Sequence, residues 1–237
     1  LKRLKSLKYS REIDFERKLR FFRGDIRDVR LIRSIFLDSK ERGNPIDAVI
    51  HFVGLKSVYQ STLDPLSYWD ANVVATISLL KVMKECKCQT IVFSSSASIY
   101  HFSGMKCLKE HDLIKPNSPY GQTKEVIEKI LFSIYESSRS DWKIANLRYF
   151  NPIGAHSSGL IGEFNINKNT NLMPNINKTF LGCQNSLYVY GNDFQTKDGT
   201  GVRDYIHIED LISGHLRARD FIQNKNGIFI WNLGAGK

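Results

Sequence analysis

From residue 19 onward the chain alternates short apolar runs with longer mixed stretches, a pattern that predicts strands and helices in turn. Strands are expected at Leu19 to Arg23, Ala48 to Phe52, Thr90 to Phe93 and Lys143 to Tyr149. Helices are expected from about Asp28 to Arg42, from about Pro65 to Glu85, and from Tyr120 to about Ser138. This rhythm implies βαβ crossovers and a parallel sheet with helices on both faces, a doubly wound, Rossmann-like α/β fold. After Asn151 it gives way to a loop-rich stretch dense in Gly and Asn, through Gly154, Gly159, Gly162, Asn165, Asn167, Asn169 and Asn171. A short helix is expected from about Pro174. Loops this long in a compact protein are commonly binding elements.

Two local patterns suggest chemistry. The apolar run Thr90-Ile91-Val92-Phe93 ends in Ser94-Ser95-Ser96-Ala97-Ser98, so a buried parallel strand delivers hydroxyls at its carboxyl end, where open α/β sheets place their ligands. Downstream, Tyr120 and Lys124 stand four residues apart on one helical face. A phenol with an ordinary pKa of about 10 is a poor base unless a nearby cation favours the phenolate. Lys124 is placed to be that cation, and Ser96 is the third member of a proton-transfer site. The spacing alone also fits a solvated helix face.

Composition narrows the class. A chain of 237 residues with 42% hydrophobic content can bury a core, and it has no apolar run long enough to span a bilayer and no signal-peptide pattern at its N-terminus. A cytoplasmic location is expected. The 4 cysteines show no metal-ligand spacing and are expected to be reduced and mostly buried, with no metal bound. The 34 Lys and Arg against 24 Asp and Glu give a net charge of +10, much of it in the first forty-odd residues. Those cations are interleaved with Glu12, Asp14, Glu16, Asp25 and Asp28, and no nucleic-acid module follows. A solvated basic surface is the reading, with no nucleic-acid or membrane partner.

Ordered motifs give the chain a family resemblance: Gly24-Asp25-Ile26-Arg27-Asp28, His51-Phe52-Val53-Gly54-Leu55-Lys56, the serine cluster through Tyr100, and Ser118-Pro119-Tyr120-Gly121. Leu147-Arg148-Tyr149-Phe150-Asn151-Pro152, Asn171-Leu172-Met173-Pro174 and Asp198 through His207 follow in the same order. The chain resembles the extended short-chain dehydrogenases/reductases and, within them, the UDP-glucose 4-epimerases. The resemblance implies interconversion of UDP-glucose and UDP-galactose through a 4-keto sugar, with retained NAD. Tyr120, Lys124 and Ser96 would be catalytic, with Lys124 lowering the phenol pKa. Asp25, Ile26, Phe52, Val53, Gly54, Leu55, Lys56, Asn72, Ser96, Tyr120, Lys124 and Phe150 would hold NAD. Ser96, Tyr120, Asn151, Asn171, Leu172, Tyr188, Val189, Tyr190 and Arg203 would bind the UDP-sugar, and a homodimer is possible. His207 is read as structural. Residues 1–150 would form a partial NAD-binding domain and 151–237 a partial UDP-sugar-binding region.

One expected feature is missing from the sequence. A dinucleotide-binding sheet opens with a strand running into a Gly-rich turn, and the chain has no Gly-x-x-Gly-x-x-Gly. Aligned with the family, the sheet is expected to lack its first two strands, between the strand at Leu19 to Arg23 and that at Ala48 to Phe52. A fragment or incomplete gene model is the expectation. Other readings stay open: a nucleotide-sugar 4,6-dehydratase, which needs an Asp-Glu pair where Ser96-Ala97-Ser98 stands, a related UDP-sugar epimerase, an RNA-binding relative or an inactive remnant.

Overall fold

The structure, a computed structural model, describes residues 19–101, 107–137, 141–163 and 171–236. Much of the basic N-terminal segment, the expected helix end at Ser138, and Asn165, Asn167 and Asn169 lie outside the described residues. The first helix, α1 (Val29–Glu41), starts at Asp28, whose carboxylate accepts from the amides of Arg30 and Leu31, both at 3.0 Å. Strand β1 (Val49–His51) follows, then a short helix α2 (Val58–Leu63) capped by Ser57. The long helix expected from Pro65 exists with an interruption. Its opening turn α3 (Pro65–Tyr68) passes through a π-helical segment, Trp69–Val74, into α4 (Ala75–Glu85).

Strand β2 (Thr90–Ser96) is buried along its whole length and carries the hydroxyls expected at its exit. A single 3₁₀ turn, Ala97–Ile99, leads away from it. Helix α5 (Pro119–Ser137) then begins with proline at its first position, where no amide is needed, and the Ser118 hydroxyl accepts from Gly121 N at 3.2 Å. Strand β3 (Lys143–Tyr149) and the three-residue β4 (Asn151–Ile153) come next, then α6 (Leu172–Phe180), β5 (Tyr205–His207), α7 (Ile208–Gln223) and β6 (Gly227–Leu233).

The main sheet is parallel in the order β1-β2-β3-β6, and β4 pairs with β5 in a second, two-stranded parallel sheet. Period-2 alternation sorts the side chains of the main sheet between two layers. Ile91, Phe93 and Ile144 pack with Ile32, Phe36, Leu79, Met83, Ile127 and Leu131 from α1, α4 and α5. Val92, Ala145 and Leu147 pack on the opposite face with Ala218 and Ile222 of α7. The sheet is thus covered on both sides, as a buried parallel sheet requires.

Two expectations need correction. Residues 19 to 23 do not form a strand; Leu19, Phe21 and Phe22 are exposed and pair with no strand among the described residues. A β-prone sequence becomes a strand only where a neighbour satisfies its amides and carbonyls, and among the described residues β1 pairs with β2 alone. The thiols are free, but Cys88 is buried and Cys86 half-buried while Cys107 and Cys183 are exposed, so they are not mostly buried. Among the described residues no helix is long and apolar enough to cross a membrane, and no group of three or more His, Cys, Asp or Glu could hold a metal ion.

Candidate active site

The carboxyl ends of β1 and β2 and the first turns of α5 meet at one place. Ser96 is the last residue of β2, and its hydroxyl stands by the Tyr120 phenol, close enough to favour the charged form of that ring. One turn along α5, the Lys124 ammonium donates to the Ser94 carbonyl at 2.8 Å. It lies 4.9 Å from the centre of the Phe93 ring and 5.9 Å from that of Tyr120. All three site residues are buried. Gly121 lets the helix come this close: a Cβ there would sit 2.7 Å from the Ser98 carbonyl and 2.8 Å from Pro116.

The electrostatics differ from the expected lowering of the phenol by Lys124. Burial pushes Tyr120 up to about 12, with the neighbouring Ser96 hydroxyl opposing it and the phenols of Tyr149 and Tyr68 adding to the rise. Burial also pulls Lys124 down to about 8, against the field of Glu128. Desolvation outweighs the neighbouring charge because both groups are sealed from water. The Tyr120 hydroxyl is therefore protonated at neutral pH, and Lys124 is a cation at physiological pH with little margin.

Behind the triad, two buried histidines have defined tautomers. Thr76 spends its hydroxyl proton on the Asn72 carbonyl at 2.5 Å, so His51 Nε2, 2.8 Å from that oxygen, must donate to it. His215 Nδ1 faces the Leu211 carbonyl at 2.8 Å and must donate, leaving Nε2 to accept from the Ser94 hydroxyl at 3.0 Å. Ser94 thus carries Lys124 on its carbonyl and His215 on its side chain.

Burial and the Lys124 charge push His51 down to about 4. An unfolded histidine titrates near 6.5, so between about pH 6.5 and about pH 4 the unfolded chain takes up a proton that the folded chain refuses. Stability is expected to fall as pH drops through that window, by about 3 kcal/mol from this residue. A His51→Gln variant, which keeps a donor for Thr76, should lose correspondingly less between pH 7 and pH 4.5 in denaturant melts. An equal acid loss in both proteins would remove His51 as the cause.

The other sequence-predicted residues divide into groups. At the exit of β1, Phe52, Val53 and Leu55 are exposed, and the Phe52 ring packs 4.7 Å from His215. Gly54 has φ +149°, and a Cβ on it would lie 2.9 Å from Asn72 Oδ1. Asn72 is buried and committed to protein: Oδ1 accepts from Leu55 N at 2.7 Å, and Nδ2 donates to Leu55 O at 3.1 Å and to Thr123 Oγ1 at 3.0 Å. It ties the β1 loop to α5 from within the π-helical segment, a distortion often found at functional sites.

Asp25 is exposed at the start of α1 with its carboxylate held by Arg27, first through the guanidinium and then the backbone amide, which keeps it down at about 2. Ile26 packs against the core beneath α1. Phe150 packs beside Ala97, Ile99 and Tyr100. Asn151 Nδ2 donates to the Asp204 carbonyl at 2.9 Å, and Asn171 Nδ2 to Glu163 at 3.2 Å. Glu163 also lies 3.8 Å from Lys56, so the β1 loop and the start of α6 are brought together. Leu172, Tyr188, Val189, Tyr190 and Arg203 are exposed. His207 caps α7, its Nδ1 accepting from Glu209 N at 3.3 Å. Asp204, given no role of its own by the sequence motif that contains it, holds the amides of Ala235 and Gly236 with its carboxylate. Glu128 escaped the sequence reading, although it continues the spacing from Tyr120 and Lys124.

With a parallel sheet, a strand-end serine and a Tyr-x-x-x-Lys helix assembled, comparison with known proteins is decisive. Residues 1–229 match the family model described as GDP-mannose 4,6 dehydratase, a branch of the extended short-chain dehydrogenases/reductases. The chain belongs to this family. Within it, the chain is 44% identical over 225 residues to UDP-glucose 4-epimerase 4 of Oryza sativa subsp. japonica, covering 94% of this chain and 59% of the relative. The solved UDP-glucose 4-epimerase from Bifidobacterium longum in complex with NAD+ and UDP aligns with TM-score 0.85 and 43% identity, over 91% of this chain and 63% of that one. The Stenotrophomonas maltophila enzyme, with NAD and formylated UDP-arabinopyranose, aligns with TM-score 0.84 and 41% identity, over 92% and 63%. The chain spans about three fifths of the length of the curated relatives it matches.

Proposed function

We propose that the protein containing this chain is an NAD-dependent UDP-glucose 4-epimerase, interconverting UDP-glucose and UDP-galactose through a 4-keto sugar. The observation that carries the reading is the buried Tyr120 side chain beside the strand-end Ser96, with Lys124 one turn away on the Ser94 carbonyl. Relatives at 44% identity bear that name, and the Bifidobacterium longum enzyme is described with NAD+ and UDP. Residues 1–150 then contribute to the NAD side and 151–237 to the UDP-sugar side. A cytoplasmic, homodimeric enzyme of galactose metabolism is the setting this reading implies.

The residues at the β1 exit fit the nicotinamide end of NAD. Exposed Phe52, Val53 and Leu55 offer an apolar bed, and Gly54 leaves room for the Asn72 amide that fixes the loop. When bound, NAD supplies the hydride acceptor and donor for C4. Tyr120, from the minor phenolate form left when its own proton has gone to solvent, takes the 4-hydroxyl proton and later returns it, while Ser96 hydrogen-bonds the 4-oxygen and orients it toward the phenol. Lys124 provides the fixed cation that favours a phenolate as the proton arrives and leaves. Phe52, Val53, Gly54, Leu55, Lys56, Asn72, Phe150, Asp25 and Ile26 would shape the cofactor side, Asn72 by holding Leu55. Asn151, Asn171, Leu172, Tyr188, Val189, Tyr190 and Arg203 would shape the sugar-nucleotide side. Arg203 suits a diphosphate because its planar fork donates paired hydrogen bonds.

A dehydratase needs a carboxylic acid and a carboxylate just after the strand-end hydroxyl. Here Ala97 and Ser98 stand there, and the Ser98 hydroxyl donates to Ser96 Oγ at 3.0 Å. Purified full-length protein incubated with UDP-galactose is expected to yield UDP-glucose, read by a UDP-glucose-specific coupled assay. A 4-keto-6-deoxy sugar product would replace the epimerase reading with the dehydratase.

A further inference from the structure

Tyr120, Lys124 and Glu128 follow one another at four-residue spacing, so all three lie on the face of α5 turned to the sheet. All three are buried. Three successive residues of β2 engage them in a fixed register. The Ser96 hydroxyl meets Tyr120, the Ser94 carbonyl meets Lys124, and the Ser95 hydroxyl donates to Glu128 Oε1 at 2.5 Å. From β3, Arg148 grips the same carboxylate with two donors, Nε to Oε1 at 3.0 Å and Nη2 to Oε2 at 2.6 Å. Its Nη1 reaches the Tyr100 hydroxyl at 2.9 Å and the Glu110 carbonyl at 2.8 Å.

Among the described residues, five groups are seen to act on Lys124 or feel its charge. They are the neutral His51 ring from β1, the Phe93 ring and Ser94 carbonyl from β2, and Tyr120 and Glu128 on its own helix. Of these, Glu128 alone is an anion. We propose that Glu128, held in place by Ser95 and Arg148, is a positioning residue that acts through Lys124, keeping that buried lysine an ammonium seated on the Ser94 carbonyl. Resting on the epimerase reading, the consequence is that Tyr120 has its cation at working pH because of Glu128. The direction of the Lys124 shift agrees: burial lowers it to about 8, and the field of Glu128 works the other way.

A purely structural role for the Glu128–Arg148 pair, clamping α5 to β3, makes a different prediction. Replacing a buried ion pair with well-packed apolar residues often leaves stability unchanged, so Glu128→Leu with Arg148→Met should undo any effect that comes from the clamp alone. The test titrates Lys124 by NMR in full-length protein labelled with ¹³C at the lysine ε-carbon, the resonance assigned by its loss in Lys124→Met. In Glu128→Gln and in the double variant the Lys124 midpoint is expected to fall by about one pH unit or more. The alkaline limb of the pH profile of epimerisation should move down with it. An unchanged Lys124 midpoint in either variant, folded as judged by its melt, overturns the proposal. Because the titration does not depend on turnover, wild-type protein without epimerase activity would end the epimerase reading, while the Lys124 midpoint would still decide the role of Glu128.

Discussion

Replacing Tyr120 with phenylalanine is expected to lower epimerase turnover by about a hundredfold to ten-thousandfold, the range spanned by a positioned general acid–base. The variant removes one oxygen from a buried ring and leaves the rest of the site in place. Lys124 stays on the Ser94 carbonyl, and Asn72 still holds Leu55 and Thr123, because none of those bonds passes through the phenol oxygen. What is lost is the phenol oxygen beside Ser96, a change of about 1 kcal/mol or less in stability. Full-length protein should therefore fold normally and hold the same NAD per subunit, measured after denaturation, while product formation fails. Turnover within threefold of wild type would remove Tyr120 from the chemistry and the epimerase reading with it. Loss of both turnover and NAD would instead make the phenol a cofactor anchor.

The main sheet and the triad could be read from the sequence because both depend on short-range patterns. Thr90 to Phe93 and Lys143 to Tyr149 are apolar runs bounded by breakers, and they became adjacent strands in register from Thr90 opposite Lys143 to Ser96 opposite Tyr149. Tyr120 and Lys124 share a helix face by the period alone. Leu19 to Arg23 carries the same kind of strand signal and failed, since pairing depends on a neighbour that local composition does not reveal. Strands β4 and β5 are three residues each and join segments 54 positions apart, Asn151 opposite Tyr205, too short to stand out from loop sequence. The resemblance places Asn72 at the cofactor site, but its bonds are not legible in the sequence: the structure spends its amide on Leu55 and Thr123 from within the π-helical segment. The electrostatics were hidden as well. Spacing places Lys124 near Tyr120, but the rise of the phenol comes from burial, which depends on how α5 seals against β2 and the turn after it.

Arg148→Met is expected to cost about 3–5 kcal/mol of unfolding free energy, the effect of removing one partner from a buried ion pair. Arg148 and Glu128 are both buried, so the methionine variant leaves a carboxylate sealed from water with the Ser95 hydroxyl as its remaining donor. The Tyr100 hydroxyl and the Glu110 carbonyl lose a donor in the same step. Arg148→Lys should recover little, because an ammonium cannot span both carboxylate oxygens while also reaching Tyr100. Glu128→Leu with Arg148→Met should recover most of the loss, since the cost lies in the unpaired charge and not in the absence of the pair. Denaturant unfolding of the three variants gives the answer. A loss below about 1 kcal/mol in Arg148→Met would place the pair among weakly coupled, solvated ion pairs and would contradict its burial between α5 and β3. If the double variant regains stability while Lys124 still titrates low, the clamp and the charge are separate contributions of one residue. Glu128 would then fasten the helix through Arg148 and supply the lysine's counter-charge along the helix face.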